Sequence, residues 1–347
     1  MSTETIDLRS DTVTKPTKEM REAMRDAEVG DDVMKEDPTV NKLERMAAEK
    51  LGKEDALFVT SGTQGNITSL LTHTSPGEEV ILGKNSHIFK YEVGGYASLA
   101  GLSAKLLDDD EGYLSVSEIK SAIRDKDIHH PETSLLCMEN THNVTGGIVK
   151  DSYHTKKNCD IAHANGLKVH MDGARIFNAA IASSEDVKEL VSDVDSVQIC
   201  LSKGISAPIG SIIAGSEDFI ERARKVRKKL GGGMRQAGVI AAPGIIALDN
   251  MVDRLEDDHD NARKLSEGLE QIGLDIDPDR FKTNIVLLDT SDIDLKAERF
   301  VEKLKAEDIL ALSMDEYITR FVTHREINTE DINKALEAIE DIFNEYK

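Results

Sequence analysis

The chain contains no tryptophan, and aromatic residues make up only 4% of it. Its three cysteines, Cys137, Cys159 and Cys200, stand singly with no C-x-x-C pair. An odd, dispersed set supports neither a disulfide framework nor a zinc site, and it fits a reducing compartment. No run approaches the roughly 18 consecutive apolar residues of a membrane-spanning helix, and the opening MSTETIDLRS lacks the apolar core of a secretory signal. These absences lead us to expect a cytoplasmic protein. Basic residues are also in deficit: 43 Lys and Arg stand against 65 Asp and Glu, for a formal charge of -22. A field of that sign repels phosphate backbones and anionic lipid, so neither nucleic acid nor membrane is an expected partner. Acid-rich segments such as RLEDDHDNARKLSEGLE read as solvated helix faces.

What is present suggests layered α/β structure. At 347 residues the chain exceeds one ordinary core. Helical spacing is seen over residues 17–25 and 38–51, the second opening with Pro38 at a first-turn position. Short apolar runs (ALFVT, EEVIL, AKLL, SLLCM, LKVHM, SVQIC, GSIIAG) then alternate with amphipathic stretches. That rhythm predicts βαβ units and a mainly parallel sheet covered by helices. After a helical region at about 216–249, the tail offers a helix near 257–271, strands TNIVLLD and YITRFVTH with a helix between them, and a last helix from about 329. The expected division is an N-terminal arm over 1–30, a large domain over 31–249 and a smaller α+β domain over 250–347.

Ligands of open parallel sheets gather beyond the carboxyl ends of the strands. In LFVTSGTQGNITSL, a strand leads through Gly62, Thr63 and Gln64 into a helix whose first N–H groups suit an anion. The segment has neither a P-loop lysine nor the G-x-G-x-x-G spacing, and alone it reads equally as a glycine turn. LKVHMDGARIF ends a strand on Asp172, with Arg175 at the helix entry; an aspartate there also serves as a plain N-cap. SVQICLSKG gives a second strand, read as ending in Lys203, where a surface lysine is the plainer alternative. Together these features supply what pyridoxal 5'-phosphate requires: an anion cradle, a carboxylate for the pyridine nitrogen and an amine for the imine. The carboxylate keeps the ring nitrogen protonated, so that the ring accepts the electron pair of a bond broken at the substrate Cα. A lysine of ordinary pKa, about 10.4, is almost wholly charged at pH 7, a handicap that imine formation and a desolvated, cationic setting remove.

Nine blocks in order carry a more specific likeness: IDLRSDTVTKPTKEMREAM, GDDVMKEDPTVNKLE, FVTSGTQGN, NSHIFKYEVGG, MENTHNVTGG, HMDGARIFNA, CLSKGISAPIGS, GGGMRQAG and RFVTH. In these the chain resembles the low-specificity L-threonine aldolases, pyridoxal-phosphate enzymes of fold type I, over nearly its whole length. The resemblance implies that Lys203 forms the imine, Asp172 meets the pyridine nitrogen and Arg175 lies beside the cofactor's phenolic oxygen and near the substrate. It implies that Gly62 and Thr63 hold the phosphate, that His87 stacks on the ring and acts in catalysis, and that Arg235 approaches the cofactor, supplied by a neighbouring subunit. Ser10 and Arg320 would grip the substrate carboxylate, a task that suits the guanidinium fork. His129, with His130 beside it, would lie near the β-hydroxyl, and Tyr91 and Glu139 would give support. The implied reaction is retro-aldol cleavage of L-threonine or L-allo-threonine to glycine and acetaldehyde in a homotetramer with sites at subunit interfaces. No catalytic metal is expected; whether a cation sits near Thr12 and Thr14 is left open. Rival readings are β-elimination, transamination or serine hydroxymethyl transfer on the same scaffold, or a non-catalytic cofactor-binding protein.

Overall fold

The computed structural model describes residues 5–346. Seven strands form the central sheet: β1 (Asp55–Val59), β2 (Glu79–Gly83), β3 (Ser103–Leu107), β4 (Thr133–Glu139), β5 (Lys168–Asp172), β6 (Ser196–Cys200) and β7 (Ser211–Gly215). Their order across the sheet is β1-β7-β6-β5-β4-β2-β3. From β3 to β6 neighbours run parallel, while β7 is antiparallel to both β6 and β1. The reversal has a simple cause. A parallel crossover needs a dozen or more residues, and the connection from β6 to β7 has only residues 201–210, so the chain must turn back on itself. Lys203 lies in that turn, three residues beyond the last residue of β6, rather than on the strand end itself. Strands β2, β6 and β7 are buried along their whole length, which is why they read as unbroken apolar runs.

Local signals set the helices. Asp37 caps the helix Pro38–Leu51 by accepting from Thr39 N at 3.1 Å and Val40 N at 3.0 Å, Pro38 fills the first turn, and Gly52 ends it in the left-handed region. The region read as helical over 216–249 is two helices, Glu217–Lys229 and Gly238–Asn250, because the run Gly231-Gly232-Gly233 follows the first and lets the chain leave with φ +82 at Gly231. One large apolar core joins the helices Pro38–Leu51 and Gly238–Asn250 to the sheet, and Phe219, Ile220 and Ala223 of Glu217–Lys229 pack in a smaller cluster on β1 and β7.

A second core lies in the C-terminal part. There β8 (Ile285–Asp289), β9 (Leu312–Ser313) and β10 (Ile318–Val322) form an antiparallel sheet in the order β9-β10-β8. Phe300 and Phe321 pack edge to face inside it, with Leu265, Ile332 and Ile339. The segment read as an N-terminal arm is shared between the two cores. Ile6–Asp7 pairs in parallel with Ile309–Leu310, and Ile6 and Leu8 are buried in the small core, whereas Met20 of the helix Lys18–Asp26 is buried in the large one. Residues 1–4 of that arm lie outside the described residues. The acid-rich stretch is not solvated throughout: Asp258 is fully buried and paired with Arg254, because the helical period places it on the inward face with Leu255, Ala262 and Leu265. Among the described residues no helix is long and apolar enough to cross a membrane.

Candidate active site

Asp172 closes β5, with Glu139 of β4 and Gln198 of β6 beside it in register. The turn after β6 brings Lys203 to the same edge. Its carbonyl accepts from Thr14 Oγ1 at 2.9 Å and Ser206 N at 2.9 Å, so the turn is tied to the N-terminal arm. The small residues around the lysine have a packing reason: a Cβ on Gly204 would stand 2.7 Å from Leu255 Cδ2. Lys203, Asp172, His87 and Arg175 line one cavity of about 280 Å³ with Ser10 and Arg320. Tyr91 and Glu139 also line it. Three parts of the chain converge here: the sheet edge, the N-terminal arm and β10.

Asp172 is 2% exposed. Its Oδ2 accepts from Asn66 Nδ2 at 2.8 Å and its Oδ1 from Ala174 N at 3.1 Å, a local turn contact and not the N-cap considered for it, because the helix begins later, at Ile176, with Arg175 in the cap position. His87 opens a short helix, its N–H donating to Glu139 Oε2 at 2.7 Å. The His87 ring holds Glu92 Oε1 through Nδ1 at 2.9 Å, with Asp172 Oδ2 4.0 Å away. Burial pulls the His87 imidazolium down, but the bond to Glu92 and the charge of Asp172 outweigh it and hold its pKa above the ordinary value. Burial raises the carboxyl of Glu92, and its Oε2 is buried without a hydrogen-bond partner. Ligand atoms of His87, Glu92 and Asp172 lie within 4.8 Å of one another. Asn66 donates to both carboxylates and His87 bonds Glu92, so the trio is already an internally bonded polar cluster.

The two arginines differ. Arg175 grips Asp11 with a two-pronged fork, Nε to Oδ2 and Nη2 to Oδ1, both at 2.7 Å. Burial opposes the Asp11 charge, yet the Arg175 guanidinium holds that carboxyl well below the usual range. Arg320, on β10, donates to Asn143 Oδ1 at 3.0 Å and to the Arg9 carbonyl at 3.2 Å, while its Nε is buried without a partner. Burial and the neighbouring charge of Arg175 bring Arg320 down to about 10. Ser10 Oγ accepts from Thr12 Oγ1 at 2.9 Å. Thr14 Oγ1 donates to the carbonyls of Asp11 and Lys203, so the hydroxyls of Thr12 and Thr14 are both engaged with the chain.

Other expected residues stand apart. Gly62 and Thr63 begin the helix Gly62–His73 but do not line the cavity. That helix start is pressed onto β6: a Cβ on Gly65 would meet Gln198 Cγ at 2.7 Å, and one on Gly62 would meet Cys200 Sγ at 3.0 Å. Within one chain His129 is at the surface, its side chain 80% exposed and its ring bonded to Asp127, outside the cavity. The loop around it has no element to carry it inwards. Arg235 is likewise exposed and pairs with Asp31 at 2.8 Å.

The residues present fit pyridoxal phosphate. A buried carboxylate and an amine share one cavity, a helix N-terminus packed on the adjacent strand offers Gly62 and Thr63 N–H groups with no intrahelical acceptor, and Arg320 keeps an orphaned donor. Four contributors escaped the sequence reading: Asn66, Glu92, Asp11 and Asn143. Each lies inside a block quoted for the likeness, but a single polar residue in a helix or loop does not reveal its partner.

A mainly parallel sheet with a small α+β domain beside its carboxyl edge, and with a lysine, an aspartate and an arginine around one cavity, defines the fold type I class. Residues 7–292 match the family described as beta-eliminating lyase. The chain is 47% identical to the probable low-specificity L-threonine aldolase 2 of Arabidopsis thaliana, over 98% of this chain and 97% of that one. It is 43% identical to the low specificity L-threonine aldolase of Escherichia coli (strain K12), over 94% and 96%. Among solved structures, the threonine aldolase of Leishmania major superposes with a TM-score of 0.83 at 20% identity, covering 97% of this chain and 99% of that one, a likeness of fold. The chain belongs to the beta-eliminating lyase family, alongside these low-specificity L-threonine aldolases.

Proposed function

We propose that the protein is an aldehyde-lyase that cleaves L-threonine and L-allo-threonine to glycine and acetaldehyde with pyridoxal 5'-phosphate. The observation that carries this reading is the convergence of Lys203, Asp172, His87 and Arg320 on one cavity, in a chain 47% identical to a protein named for that reaction. The cofactor, when bound, supplies an aldehyde for the amino group and a ring that accepts electrons from the substrate Cα.

The chain's own residues do the rest. Lys203 offers its amine from a turn clamped to the arm by Thr14. Asp172, held by Asn66, presents a carboxylate to the protonated ring nitrogen. Gly62 and Thr63 N–H groups, at the helix start, would hold the phosphate. Arg320, with Ser10, holds the substrate carboxylate, and that grip orients the Cα–Cβ bond for cleavage in preference to loss of the carboxylate or of the Cα proton. His87 takes the β-hydroxyl proton: with Nδ1 held by Glu92, Nε2 is the ring atom left for it. His129 has no part in this arrangement within one chain. We further propose a cytoplasmic homotetramer in which exposed residues such as Arg235 meet a neighbouring subunit.

The test is an acetaldehyde assay on the four threonine stereoisomers, with and without added pyridoxal phosphate, with pyruvate from L-serine as the control for β-elimination. Cofactor-dependent acetaldehyde from the L-isomers is the expected outcome. Pyruvate with no acetaldehyde would overturn it.

A further inference from the structure

Behind Asp172 runs a chain of side chains that the proposed reaction does not use. His73 Nε2 lies 2.7 Å from Ser196 Oγ, and the same oxygen lies 2.8 Å from His170 Nδ1. His170 Nε2 lies 3.0 Å from Asn66 Oδ1. Asn66 Nδ2 in turn donates to Glu92 Oε1 at 2.7 Å and to Asp172 Oδ2 at 2.8 Å. Ser196 and His170 are 0% exposed and Asn66 is 1% exposed. The chain starts at His73, which is half-buried and stacked on Phe219 with ring centroids 4.5 Å apart.

The direction of every bond is fixed from the far end. The carboxylates of Glu92 and Asp172 only accept, so the Asn66 NH2 group must face them and its Oδ1 must face His170. His170 Nε2 must then carry the proton, and a neutral His170 presents Nδ1 as an acceptor. The Ser196 hydroxyl donates to that atom, and its oxygen accepts from His73 Nε2–H. Burial keeps both rings neutral: it brings His170 down to about 4 and His73 down to about 3.

We infer that His73, Ser196, His170 and Asn66 form a one-way hydrogen-bond relay that locks the Asn66 amide and so positions Asp172. Without the His170 donor, nothing holds Asn66 Oδ1, and a half-turn of the amide would set that oxygen against two carboxylates. His170 is thus a positioning residue, acting through Asn66. This rests on the reading of Asp172 as the partner of the ring nitrogen, and it adds what keeps that partner in place.

Neutron diffraction from deuterated crystals of the holoenzyme tests it directly. The expected result is deuterium on His73 Nε2, on His170 Nε2 alone, and on Ser196 Oγ pointing to His170. Deuterium on His170 Nδ1, or a reversed Asn66 amide, overturns the relay. These positions are read whatever Asp172 faces, so failure of the relay and failure of the cofactor reading are told apart. A second measurement uses variants. His170→Phe is expected to weaken pyridoxal phosphate binding by about tenfold, the loss of one buried hydrogen bond, and to lower kcat with threonine KM changed less than about twofold. His170→Gln, whose amide N–H can still donate to Asn66, is expected to restore most of the binding. Equal losses in the two variants, or none, overturn the proposal.

Discussion

Asn143 Oδ1 accepts from two arginines at once, Arg175 Nη1 at 3.2 Å and Arg320 Nη1 at 3.0 Å. One guanidinium leads the helix after β5 and the other sits on β10, so this oxygen joins the cofactor side of the cavity to the small domain. Like charges held close repel, and the shared acceptor offsets that. Asn143→Ala should therefore raise the KM for threonine more than it lowers kcat, as steady-state kinetics will show.

Removing Arg320 itself should cost more. Arg320→Ala is expected to lose roughly 2 to 4 kcal/mol in kcat/KM, as for a partly buried charge contact. Arg320→Lys should recover little, because an ammonium cannot make the planar fork. Unchanged kinetics in the alanine variant would remove Arg320 from the substrate grip.

Borohydride reduction followed by peptide mapping should label Lys203 and no other lysine. Lys203→Ala should show no label, no visible cofactor absorbance and no turnover. A label elsewhere would sink the assignment of the amine.

With His87 as the proposed base, Glu92 should set the pH at which it works. A base acts when unprotonated, and the His87 pKa is raised above its ordinary value of about 6.5. The acid limb of kcat/KM should therefore fall above that value. Burial alone would pull the pKa the other way, so in Glu92→Gln the limb should move to lower pH. A limb that stays in place would mean that another group takes the proton.

Much of this site was legible in the sequence because strand ends are legible. The runs LKVHMD and SVQIC each stop where apolar residues give way to polar ones, which put Asp172, Arg175 and Lys203 at one sheet edge before any coordinates. The contacts that hold these residues were not legible. That Ser196 meets His170 depends on β5 and β6 being neighbours in a particular register, with His170 opposite Ser196. Asn66 lies within the helix after β1, and nothing in NITSL shows that it faces a carboxylate from a distant strand. Asp258 was misread for a related reason: an acidic stretch suggests a wet face, but the helical period turns one of its members inwards. His129 was assigned by likeness alone, and a single chain leaves it at the surface.

Asp11 links activity to acid stability. Its folded-state pKa is depressed, so the stability it contributes is fully present above the unfolded value of about 3.9 and is lost as pH falls below it. The wild-type protein should thus lose more stability than Asp11→Asn between neutral pH and about pH 3, by thermal melts. At pH 7 the variant should itself be less stable by about 3 to 5 kcal/mol, since Arg175 is left buried with half its partner gone.

The pairing of Ile6–Asp7 with Ile309–Leu310 also fixes when the molecule can be finished. Ile6–Asp7 finds its strand partner only after the whole of the large sheet, which ends at Gly215, has been translated. Asp11, a few residues further on, is tied on its C-terminal side to the turn of Lys203 through Thr14 and on its N-terminal side waits for this pairing. A nascent chain can complete its large sheet early and still be an incompetent enzyme, and a protease that nicked the arm would undo that late pairing in one cut.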